Sequence, residues 1–187
     1  MKHPLEQIPK NLVKPLFGGL LILTLLLMVL MNLVGAPLVT AAAPYGIISY
    51  ELAGNPENSL KILASWGEVA RQKAAFSLGL DYLFMVVYST TIGLGCILAG
   101  RALTERGVSL AKVGLPMAWG QWAAAGFDAL ENLGLALILF RWDAQLWAPL
   151  SRWCAILKFS LIFLGITYSL LGWFISIGLK TETRPLQ

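Results

Sequence analysis

Four long apolar runs, at residues 16–38, 74–100, 113–140 and 153–179, dominate the pattern of the chain. A bilayer core of about 30 Å needs roughly 20 helical residues at about 1.5 Å each, so each run is long enough to cross once. Backbone polar groups in lipid must pair internally, and runs without strand-like alternation pair as helices. The pattern therefore predicts an all-α membrane protein: a four-transmembrane-helix bundle forming one polytopic domain over residues 1–187. The first run follows a basic start, as a signal peptide would. Its apolar stretch is too long for a signal core, and a retained helix is expected.

Between the first two runs lies the one sizeable polar segment, the loop 39–73. Pro44, Gly46, Gly54 and Pro56 mark turns. Asn55, Pro56 and Glu57 form a helix start: a capping amide, a first-turn proline and an acid near the positive helix end. From there Ile62, Leu63, Trp66, Val69 and Ala70 fall on one side, and Glu57, Lys61, Ser65, Glu68 and Arg71 on the other. This predicts an amphipathic helix in the first outer loop, resting on lipid headgroups or acting as a lid.

Composition agrees: 57% of the 187 residues are hydrophobic and 13% charged. A water-soluble fold of this size cannot bury that much apolar surface, which excludes soluble enzymes and nucleic-acid binders. One histidine and two cysteines are too few for the usual zinc, haem or iron–sulfur sites, so no cofactor or metal is expected. His3 is expected in a flexible N-terminal segment with no chemical role, and Cys96 and Cys154 as buried free thiols.

Basic residues set the expected orientation. Lys2, Lys10, Lys14, Arg101, Arg106, Lys112, Lys180 and Arg184 fall on one side; Lys61, Arg71, Lys73, Arg141 and Arg152 fall on the other. Both termini are expected in the cytoplasm and the chain in a cell membrane, that of a bacterial inner membrane. Trp142, Trp147 and Trp153 then form an interfacial belt at the outer side.

The chemistry sits where lipid should be. Asp81, Asp128, Glu131 and Lys158 lie inside the runs, with Gln121, Asn132, Tyr88 and Asn32 as polar companions. Each charge at a helix centre costs about 2.5–3.5 kcal/mol to insert, which makes four a pattern that needs a reason. At about 100° per residue, Gln121, Asp128, Glu131 and Asn132 share one face of the third run. The depths, between roughly 8 and 18 Å from the outer ends, place the ionisable groups in the outer half of the bilayer. Convergence on one cluster is expected, with Lys158 paired to one acid. Three carboxylates against one ammonium leave an excess charge of about minus two, which a proton, a cation or water must offset.

Three functions fit these residues. The first is a polar pocket opening outward that binds a proton, a cation or a small amphipathic ligand. The second is a lipid-modifying isomerase that uses the carboxylates as acid and base. The third is a structural or assembly subunit of a larger membrane complex, in which the polar face meets another protein and the charges pair across that interface. Beside all three stands a purely structural role, with the charges as interhelical glue. The expected partners are membrane lipids, with a second copy or a partner membrane subunit for a chain of so few helices, and no nucleic acid.

Overall fold

The computed structural model describes residues 3–178, so Lys2, Leu179, Lys180 and Arg184 lie outside the described residues. Those described fold into six α-helices and three short 3-10 turns, with no strand among them. The helices are α1 (Lys10–Gly35), α2 (Ile47–Glu51), α3 (Pro56–Ser65), α4 (Glu68–Thr104), α5 (Gly114–Leu139) and α6 (Ala144–Gly178). Four of them, α1, α4, α5 and α6, are long and apolar enough to cross a membrane.

Three of these helices, α1, α4 and α6, start well before the apolar run that predicts them. The 37 residues of α4 extend about 55 Å, far beyond a bilayer core of about 30 Å. Its extra first turns, from Glu68, are held by Ala70 and Ala74, which are buried against the connection that precedes them. α6 begins at Ala144, where the Asp143 carboxylate accepts from the Gln145 N–H at 2.8 Å. Hydropathy marks lipid contact, whereas these helices continue for as long as protein covers one face.

α4, α5 and α6 pack against one another, and α1 packs along α4. Small residues permit the closest approaches. A Cβ on Gly172 of α6 would stand 2.6 Å from the Ala99 Cβ of α4, and one on Gly114 of α5 would meet the Cys96 carbonyl oxygen at 2.9 Å. α4 ends through Gly107, at φ +67°, with the Val108 N–H returning to the Leu103 carbonyl. α5 ends in the same way, with Arg141 at φ +66° and the Trp142 N–H bonded to the Leu137 carbonyl. The left-handed residue releases the chain and satisfies a terminal carbonyl.

The connection between α1 and α4 is a folded cap. α3 does start at the Asn55 N-cap, whose Oδ1 accepts from the Asn58 N–H at 2.8 Å. It stops at Ser65, because Trp66 is extended and Gly67 opens α4. The face predicted to run on through Arg71 is therefore split between two helices. Ile62, Leu63 and Trp66 are buried in a core with Leu38, Tyr50, Leu135 and Ile138, and α3 packs against α6. The Trp66 indole N–H donates to the Leu38 carbonyl at 2.9 Å. Trp142 and Trp153, by contrast, are exposed.

The opposite, terminal end also differs from expectation. His3 is fully buried, its ring 4.4 Å from that of Trp119 and 4.5 Å from that of Trp122. Its Nδ1 accepts from the Leu5 N–H while Glu6 accepts from the His3 N–H, a reciprocal cap on the turn Pro4–Gln7. Arg101 anchors this turn by donating to the Glu6 carbonyl at 2.9 Å. Burial lowers the His3 pKa, with Glu6 pulling the other way.

The docked form thus carries a neutral ring, and a proton on Nδ1 would face the Leu5 N–H donor to donor. With the folded pKa depressed, docking is fully stable above the ordinary histidine value of about 6.5 and weakens as pH falls through it. The protection of the Leu5 amide, taken relative to the intrinsic exchange rate at each pH, should therefore fall as pH drops below about 6.5. Unchanged protection would contradict the docked geometry.

Candidate functional site

The site is built by α4, α5 and α6, three of the helices apolar enough to cross a membrane, and closed by α2 from the cap. Asp128 and Glu131 lie one turn apart on α5, so both carboxylates face α6. The Lys158 ammonium stands 2.8 Å from Asp128 Oδ1, and 3.0 and 2.9 Å from the two oxygens of Glu131. Glu131 therefore straddles the ammonium. Lys158 is 4% exposed, Asp128 2% and Glu131 0%, so water competes for none of these contacts.

Tyr88 of α4 donates its hydroxyl to the other oxygen of Asp128, Oδ2, at 2.8 Å. Asp81, two turns earlier on α4, accepts from the Asn132 amide of α5 at 2.7 Å. These bonds link the membrane helices through polar side chains alone. The Asn132 Oδ1 atom is buried without a hydrogen-bond partner.

A fourth acid completes the arrangement, and sequence reasoning missed it. Glu51, the last residue of α2, is buried with Oε2 at 3.6 Å from Lys158 Nζ. Its neighbour Tyr50 fixes it there by donating to the Leu135 carbonyl of α5 at 3.0 Å. Burial raises the Tyr50 pKa, so the hydroxyl stays a donor. Glu51 escaped notice because an acid in a loop carries no insertion cost. The available signal was Tyr50 with Ile47 and Ile48, a short apolar stretch between the turn glycines Gly46 and Gly54. Tyr50→Phe should loosen the cap by about 1 kcal/mol, since it removes the buried hydrogen bond that ties α2 to α5. Differential hydrogen exchange over residues 47–53 measures that effect.

Of the sequence-predicted residues, Asp81, Tyr88, Asp128, Glu131, Asn132 and Lys158 converge in this network. Gln121 is buried but sits about 10 Å along α5 from Asp128, where its amide donates to the Leu161 carbonyl of α6 at 2.9 Å. Asn32 does not join. It is exposed on α1, about 150° around the helix from the stripe of Leu27 and Val34 that is buried.

Two clefts open on the cap: one of about 710 Å³ between α2 and α3, and one of about 530 Å³ beside the start of α4. None of the charged residues around Lys158 lines either cleft. Cys96 and Cys154 are buried free thiols, as expected. Among the described residues no group of histidine, cysteine and acidic side chains is arranged to hold a metal ion.

No family model matches this chain, and no curated protein or solved structure does either.

Proposed function

We propose that this chain is a four-transmembrane-helix protein of a cell membrane whose Lys158 cluster binds positive charge, a proton in the first place. The carrying observation is the imbalance: Glu51, Asp128 and Glu131 all face one ammonium, and Asp81 lies beside them with only an amide partner. Four carboxylates against one lysine leave a formal excess of about three negative charges in a site shielded from water. A bound proton or small cation offsets that excess. The proton is favoured over a bulky amphipathic ligand because the cluster is closed by side chains on every element that forms it. The distribution of lysine and arginine supports cytoplasmic termini, with the α2–α3 cap outside.

Infrared difference spectroscopy across a pH titration of the protein in lipid tests this reading. A carbonyl band from a protonated carboxyl should appear, and should be lost in Glu131→Gln or Asp128→Asn. Carboxylates that remain ionised together across the neutral range, with no cation retained after dialysis, would contradict it.

A second reading, an assembly subunit, draws on α1. Leu12, Ile22, Leu26, Met28, Val29 and Leu33 are exposed along that helix, which leans on α4. Copurification with a second membrane protein at fixed stoichiometry would favour it.

A further inference from the structure

The cluster is shut toward the cap, and its polar continuation runs the other way. Gln121 is the first step. It is fully buried, and its Nε2 lies near both the Met117 and Leu161 carbonyls, which fixes the amide orientation. Its Oε1 is left buried with no donor. An orphaned buried acceptor in a native fold marks a place for an ordered water.

Gln121 packs on Gly165 of α6 and Ile92 of α4, where a Cβ on Gly165 would collide with its amide. Ile92 is one turn along α4 from Tyr88, about 6 Å, and Gln121 is two turns along α5 from Asp128, about 10 Å, so the step from Gln121 to the Tyr88–Asp128 hydrogen bond requires ordered water. On the other side of Gln121, the Gly165 carbonyl accepts from Ser169 at 2.8 Å. Ser169 Oγ also lies 3.4 Å from the Cys96 thiol. Tyr168 follows, its hydroxyl donating to the Leu110 carbonyl at 3.2 Å, and Leu110 is exposed in the α4–α5 connection. Polar groups thus recur between α4, α5 and α6 from the cluster toward the terminal end, separated by apolar neighbours such as Ala118, and water is needed to join Gln121 to Ser169 and Ser169 to Tyr168.

We propose that this seam, with Gln121 as its central relay, is the route by which protons reach the Lys158 cluster from the side that carries the termini. The inference rests on the cluster being a proton site and adds the direction of access. In each transfer one proton leaves a hydronium at the Leu110 end and finishes on a cluster carboxylate. Only O–H bonds of the relaying waters and of the Ser169 and Tyr168 hydroxyls break and re-form, each group releasing one proton as it takes up another, while Gln121 Oε1 holds a water in line. The receiving carboxylate is faced by Glu51 from α2, Asp81 and Tyr88 from α4, Asp128 and Glu131 on α5, and Lys158 from α6.

A pH jump followed by time-resolved infrared spectroscopy of the full chain in lipid reads the rate at which the cluster carboxyl band responds. Gln121→Leu should slow that response about tenfold or more while the final amplitude stays that of the native protein. Ser169→Ala should slow it in the same direction, and it carries the test if Gln121→Leu fails to fold. Lys61→Gln, in the cap cleft, should leave the rate unchanged. Native rates in both seam variants, or a slowed response in Lys61→Gln, would overturn the seam as the route. A native protein with no pH-responsive carboxyl band would instead overturn the proton site itself.

Discussion

Lys158→Met is expected to destabilise the protein by about 3–5 kcal/mol, the usual penalty for removing one member of a buried ion pair. The loss is large because the substitution strands Asp128 and Glu131, which are 2% and 0% exposed, without their common partner. The penalty belongs to the carboxylates left behind. Adding Glu131→Gln and Asp128→Asn to the lysine variant should therefore recover much of it. Glu51→Gln on its own should be far milder, since its contact is the longest at 3.6 Å and its removal reduces the negative excess. Denaturant unfolding in a fixed detergent measures all of these. A Lys158→Met protein within about 1 kcal/mol of the native one would mean that water reaches the cluster.

Gly172→Leu is the second large effect, expected to cost about 3 kcal/mol through overpacking, or to separate α4 from α6. A side chain there meets the Ala99 Cβ at 2.6 Å and its Cα at 3.3 Å, so the obstacle includes backbone and cannot rotate away. Gly126→Leu provides the contrast. Nothing lies within 4 Å of a Cβ at that position, and the helix gains a better helix former. Equal thermal stability of the two variants would contradict the close α4–α6 approach.

The four long apolar helices were legible because a long apolar run has few other uses. Charges inside such runs were equally visible, since each one breaks a pattern, and helical phase then gave the meeting of Asp128, Glu131 and Lys158. Depth proved a weaker guide. Asn32 lies near the level expected of the cluster, but its direction around α1 is set by packing on α4, which single-helix counting does not reveal. The cap was opaque for a related reason. Tyr50, Glu51 and Trp66 are polar or amphipathic residues among turn glycines, and their burial depends on contacts with Leu135 and Leu38, far off in the chain. His3 was misjudged on the same ground. A terminal histidine has no local pattern, and only Trp119 and Trp122 make its place.

The order of the cluster along the chain has a biosynthetic consequence. Glu51, Asp81, Asp128 and Glu131 are all synthesised before Lys158, which lies on α6. While the ribosome is still making α6, the acids of α4 and α5 have no countercharge, at about 2.5–3.5 kcal/mol for each one near the bilayer centre. Those two helices are thus poor candidates for early release into lipid. On the proposed membrane topology they are expected to stay beside the insertion machinery until α6 arrives, so that the three partition as one unit, whereas α1, free of ionisable groups through its apolar stretch, can leave earlier.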